Sequence, residues 1–86
     1  PVLVEFGAVW CAPCKRLEPI LDALASEWQA KAQVLKVDVD VDPDLALRYQ
    51  VMSVPTVLLF NQGREMARLI GLQSRERIIE KLSPLL

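Results

Sequence analysis

Val2–Val39, VLVEFGAVWCAPCKRLEPILDALASEWQAKAQVLKVDV, carries the architecture of this chain. Its opening, Val2–Phe6 (VLVEF), is almost continuously apolar, the pattern of a strand buried on both faces. From about Cys11 to Gln29 the period changes. Leu17, Ile20, Leu21, Leu24 and Trp28 stand at i, i+3, i+4, i+7 and i+11, one face of a helix. Lys15, Arg16, Asp22, Glu27 and Gln29 take the other face. Pro19 lies inside this helix and predicts a kink or a missing backbone hydrogen bond. Val34–Val39 (VLKVDV), β-branched and bounded by charge, reads as a second strand. A strand, a helix and a second strand joined in this way form a right-handed unit with the two strands parallel.

Downstream, Asp42-Pro43-Asp44 has the signature of a helix start: an acceptor at the N-cap, proline at the first helical position and an acid in the first turn. A short helix through about Tyr49 follows. Thr56–Phe60 (TVLLF) is a third strand, Asn61-Gln62-Gly63 a tight turn, and Glu65–Ile70 a fourth strand closing a hairpin. Ser74 caps a last helix whose apolar face carries Ile78, Ile79, Leu82 and Leu85. The order β-α-β-α-β-β-α predicts an α/β fold with a mixed four-stranded sheet and helices on both faces. With 86 residues, no internal repeat and no linker, residues 1–86 are expected to form a single domain.

Composition narrows the chemistry. Hydrophobic residues make up 52% of the chain and charged ones 24%, which is globular and neither disordered nor low-complexity. Ten Lys+Arg against eleven Asp+Glu leave a net charge of −1, with no basic block to grip nucleic acid or anionic lipid. There is no histidine, which excludes Ser-His-Asp and Cys-His hydrolases, His-ligated metals and a histidine pH switch. No apolar run reaches the roughly 18 residues of a membrane span. No basic-then-apolar leader is seen; the chain opens at Pro1 and not methionine, so a processed leader would not be visible in it.

Two cysteines remain, in Trp10-Cys11-Ala12-Pro13-Cys14-Lys15, where the first strand gives way to the first helix. Thiols three positions apart at a helix start can close a small disulfide ring without unwinding the helix. Cys11 falls at the helix mouth, where unpaired N–H groups and the macrodipole favour a thiolate and lower the thiol pKa. Cys14, one turn inside, is expected to be the more shielded, resolving thiol. Three readings stay open: a redox dithiol, a metal site and an inert pair. The metal would have to be shared between two copies or completed by carboxylates, because the chain offers no third cysteine or histidine. The βαβ context of the motif points to the redox dithiol.

VLVEFGAVWCAPCK, KVDVDVDP, YQVMSVPTVLLFNQG and LIGLQS follow one another in the order and spacing of the signatures of the thioredoxin family. The likeness runs over nearly the whole chain, and WCxPCK with a downstream SVPT is a specific combination. The chain therefore resembles that family. The resemblance implies a thioredoxin-like fold and a protein thiol–disulfide oxidoreductase with Cys11 and Cys14 as a redox-active disulfide. It further implies neither cofactor nor metal, disulfide-containing client proteins, a thioredoxin reductase-type electron donor, no nucleic-acid or membrane partner, and a cytoplasmic setting.

Single residues inherit expectations from the same resemblance. Pro55, in Ser53-Val54-Pro55-Thr56, matches a cis proline that faces the cysteines, with Val54 offering backbone hydrogen bonds to a substrate strand. Trp10, Ala12, Pro13 and Gly71 match the substrate surface. Glu5 occupies the place of a buried first-strand acid, usually Asp, that assists deprotonation of Cys14, and Lys36 matches a lysine lying near that acid. Read without the family, Pro55 is a strand-entry proline, Glu5 an outward strand residue, Lys36 a solvated lysine, Gly71 a turn and Trp10 a partly packed aromatic. Trp28 reads as core.

Four departures stand out. Glu5 is one methylene longer than Asp. Gly7 replaces an aromatic and is expected to leave space and a more flexible approach to Cys11. Ala12 replaces a glycine. The family's additional N-terminal strand and helix have no counterpart before Val2, so the Val34–Val39 edge is expected to lie uncovered, as a pairing surface or the scar of a truncation. Two other functions share the same residues: an adaptor or chaperone domain with an incidental dithiol, and an exported oxidase or isomerase.

Overall fold

Alternation along the strands sorts the apolar residues onto two faces of one sheet. In the computed structural model, which describes Pro1–Leu86, the strands are β1 (Val2–Gly7), β2 (Gln33–Asp38), β3 (Thr56–Asn61) and β4 (Arg64–Ile70). The helices are α1 (Ala12–Glu27), α2 (Pro43–Arg48) and α3 (Arg75–Leu82), with a 3₁₀ turn at Ser83–Leu85. The strand order is β2-β1-β3-β4. β1 runs parallel to β2 and antiparallel to β3, so Glu5 faces Lys36 on one side and Val57 on the other. β3 and β4 form the expected hairpin. The sheet is therefore mixed and four-stranded, with the expected order of elements.

On one face Leu3, Val57, Leu59 and Leu69 pack with Leu17, Leu21, Leu24 and Trp28 and with Ile78 and Leu82 of α3. The other face joins Phe6 and Leu58 to Ala46 of α2 and to Tyr49. The Tyr49 ring meets the Phe60 ring edge-on at 5.1 Å. Trp28 is the C-cap residue of α1 and lies in the core, as its spacing predicts. Because Leu24 is fully buried, Leu24→Ala is expected to cost about 2–5 kcal/mol through lost transfer energy and an unfilled cavity. Urea unfolding would register this as a lower midpoint with an unchanged slope.

Local chemistry departs from expectation at several points. Pro19, on the exposed side of α1, has no N–H to donate and so omits one backbone bond as expected, while the helix continues through it to Glu27. Asp42 occupies the N-cap of α2, yet its carboxylate makes no capping bond; its backbone carbonyl accepts from Leu45 N–H at 3.2 Å. Ser74 caps as expected, its Oγ accepting from Arg77 N–H at 3.1 Å. Leu85 does not join the apolar face of α3. The chain turns into a 3₁₀ segment after Leu82, leaving Leu85 exposed while Leu86 packs on the core. In the hairpin both central loop residues, Gln62 and Gly63, have positive φ (55° and 78°), matching the strand twist. A bulge between Leu59 and Phe60, invisible in the alternation, absorbs one extra residue of β4.

Candidate active site at the mouth of the first helix

The chain leaves β1 at Gly7 and enters α1 through Cys11, whose extended backbone (φ −89°, ψ 107°) makes it the N-cap residue. Its Sγ accepts a hydrogen bond from Cys14 N–H at 3.1 Å, satisfying one of the helix's unpaired donors. Proline in the first turn leaves no donor unmet there. With Cα atoms 5.3 Å apart, Cys11 and Cys14 are joined as a disulfide. The two residues are buried almost equally, at 3% and 4% exposure, so Cys14 is not the more shielded in the oxidised chain.

A second segment closes over the pair. The Val54–Pro55 peptide bond is cis, and the Val54 carbonyl oxygen stands 3.8 Å from Cys11 Sγ. Thr56 Oγ1 donates to the Ser53 carbonyl at 2.7 Å. Gly71, with φ of +84°, donates its N–H to the Pro55 carbonyl at 2.8 Å. Val54 thus lies against Cys11, and Gly71 is tied to Pro55, whose ring is buried; Val54 itself spends neither N–H nor C=O on a backbone partner. Ala12 and Pro13, which follow Cys11, are exposed. Trp10 is 70% exposed and is held by its indole N–H, which donates to Asp40 Oδ2 at 2.8 Å. Nothing local in the sequence marks Asp40 as the partner of Trp10; the alternating VDVDVD run carries the only trace of it.

Behind the disulfide lies Glu5, only 3% exposed, with Oε1 lacking any hydrogen-bond partner. Burial of the carboxylate raises its pKa from 4.5 to about 7; the negative charges of Glu18 and Asp22 push the same way while Lys36 opposes them. Lys36 lies directly across from Glu5 in the β1–β2 register, but its Nζ pairs with Asp22 at 3.0 Å and reaches Glu18 at 3.9 Å. It acts on Glu5 through space and not by contact.

Gly7 opens a cavity of about 350 Å³ walled by Glu5, Cys14, Glu18 and Lys36 among others. A Cβ at position 7 would stand 3.3 Å from Cys14 Sγ and 3.7 Å from Glu5 Oε2. The space left by the glycine therefore adjoins Cys14 and the acid, not Cys11 as expected. No group of three or more Cys, His, Asp or Glu side chains is placed to hold a metal ion.

A disulfide capping a helix, overlaid by a cis proline and backed by a buried carboxyl, defines a domain that exchanges thiols with disulfides. The family model for thioredoxin matches residues 1–84. Thioredoxins of two Staphylococcus aureus strains, Mu50 and MW2, are each 44% identical over 80 residues, covering 93% of this chain and 77% of theirs. The structure is similar to that of Deadhead, a germline-specific thioredoxin of Drosophila melanogaster. The TM-score is 0.92 at 35% identity, over 99% of this chain and 80% of that one. The chain belongs to the thioredoxin family. It is a thiol–disulfide oxidoreductase of the protein-disulfide reductase type, acting on proteins that carry disulfides. No helix is long and apolar enough to cross a membrane.

Proposed function

We propose that Cys11 is the attacking thiolate and Cys14 the resolving thiol in reduction of client disulfides. The observation that carries this assignment is the Cys14 N–H pointing at Cys11 Sγ from the first turn of α1, which stabilises negative charge on that sulfur. Cys11 thiolate attacks one sulfur of a client disulfide, the client's other sulfur leaves as a thiolate, and a mixed disulfide forms. Cys14 then loses its proton and attacks Cys11 Sγ. The Cys11–Cys14 bond re-forms and the second client thiolate departs.

Glu5 is the proton acceptor for Cys14 across the cavity they share, and a pKa of about 7 keeps both of its forms populated near neutrality. Lys36 is a positioning residue that tempers the field of Glu18 and Asp22 on Glu5. Val54, with unused backbone groups, pairs with an extended client segment, while Pro55 and Gly71 shape the groove. Trp10, Ala12 and Pro13 form its rim. Residues 1–86 work as one domain without a bound cofactor or metal. A thioredoxin reductase-type enzyme returns electrons to the pair, in the reducing cytoplasm that net reduction requires. Neither nucleic acid nor membrane is a partner.

Insulin tests the reading. With dithiothreitol as electron source, the chain is expected to accelerate precipitation of the insulin B chain. No acceleration would leave a client-binding domain with an idle dithiol.

A further inference from the structure

Leu3, Glu5 and Gly7 occupy alternate positions of β1 and share one face of the sheet, and Gly7 is the member without a side chain. The cavity in front of it touches Cys14 but not Cys11. The volume that a side chain at position 7 would fill abuts both Cys14 Sγ and the Glu5 carboxyl. Glu5 Oε1 is buried there without a partner. The wall also carries both signs of charge, Lys15 and Lys36 with Glu18 and Asp38; Lys15 makes no ion pair, whereas Lys36 pairs with Glu18 and, outside the wall, with Asp22. At about 350 Å³ the space lies within the range of small-molecule sites.

We infer that this cavity admits small zwitterionic thiols, of the amino-acid or short-peptide kind, which reduce the oxidised pair by attacking Cys14 through the gap left at Gly7. The incoming thiol gives its proton to Glu5. Its sulfur then bonds to Cys14 Sγ while the Cys11–Cys14 bond breaks, and Cys11 leaves as a thiolate. Cys11 is the better leaving group, because its sulfur already accepts the Cys14 N–H at the helix start. A second small thiol attacks the first one's sulfur, releasing a small-molecule disulfide and the Cys14 thiolate; that thiolate takes the second thiol's proton, and the proton held by Glu5 passes to Cys11. In sum, two small thiols become one small disulfide and the protein disulfide becomes a dithiol. The ligand's carboxylate faces Lys15, and its ammonium faces Glu18 and Asp38.

This entry route is distinct from protein-disulfide reduction through Cys11 and fails or stands separately from it. The test measures the reverse half-reaction on each sulfur alone, using glutathione disulfide as the probe. Full-length Cys11→Ser presents only Cys14, and full-length Cys14→Ser presents only Cys11; adduct formation is followed by intact mass. Adding Gly7→Leu to both is expected to lower the ratio of the Cys14 rate to the Cys11 rate by about tenfold or more. Gly7→Ala, whose single methyl would press on Cys14 Sγ, is expected to lower it less, and melting curves show whether each variant folds. Lys15→Ala is expected to slow Cys14 with glutathione disulfide but not with the uncharged disulfide of 2-mercaptoethanol. A ratio unchanged by both Gly7 substitutions would overturn the route. Equal slowing of the two probes by Lys15→Ala would overturn the zwitterion preference. Insulin reduction by the unaltered chain reports on the protein-disulfide activity independently of either result.

Discussion

A Cys11→Ser chain is expected to reduce insulin no faster than dithiothreitol alone. The expected loss is complete because a serine hydroxyl cannot form the thiolate that attacks a disulfide, nor can it join a mixed disulfide. The loss would be chemical and not structural. Cys11 is the N-cap residue of α1, and its side chain accepts the Cys14 N–H. Serine at that position accepts the same bond and is a favoured cap, so the helix start survives the exchange. Melting curves compared under reducing conditions would verify this. A Cys11→Ser chain retaining acceleration would move the attacking sulfur to Cys14.

Glu5→Gln is expected to make the protein more stable than the parent at alkaline pH and to flatten its stability–pH curve. The folded carboxyl titrates at about 7, against 4.5 in its ordinary state. Between those values the folded chain keeps a proton that the unfolded chain has released, so stability falls as pH rises through that window. Below about 4.5 both states hold the proton and the deficit vanishes; above about 7 it is full, on the order of 3 kcal/mol. A glutamine, neutral throughout, has no such slope. Urea midpoints at pH 5 and pH 8 would measure it: the parent should lose more between the two than the variant. Parallel losses would show that Glu5 ionises in the fold without cost.

Much of this was legible in the residues. The 3.6 period of Leu17–Trp28, the apolar run of β1 and the turn before β4 state the order of elements and the two-faced core. Alternation alone leaves Glu5 as an outward strand residue; only the resemblance to the family points to the buried acid that the structure shows behind the disulfide. What escaped depended on packing between segments distant in sequence. Lys36 chooses Asp22 and Glu18 because α1 crosses over β2, and no local pattern encodes that crossing. Asp40 holds Trp10 from 30 residues away. Gly7 reads as an absent aromatic near Cys11, whereas only the approach of α1 to β1 shows that the vacancy meets Cys14. Asp42 has the residue type of a cap and stands at the cap position, yet its side chain does not bond there.

The division of labour between the two sulfurs is tested most directly by trapping. A Cys14→Ala chain, reduced and mixed with cell extract, lacks the thiol that resolves the mixed disulfide and should accumulate client adducts. Adducts releasable by dithiothreitol are expected on Cys11, the one cysteine that chain keeps, and a Cys11→Ala chain treated alike is expected to accumulate far fewer on Cys14. A chain that accumulates no adduct would contradict the assignment of Cys11 as nucleophile and Cys14 as its resolving partner.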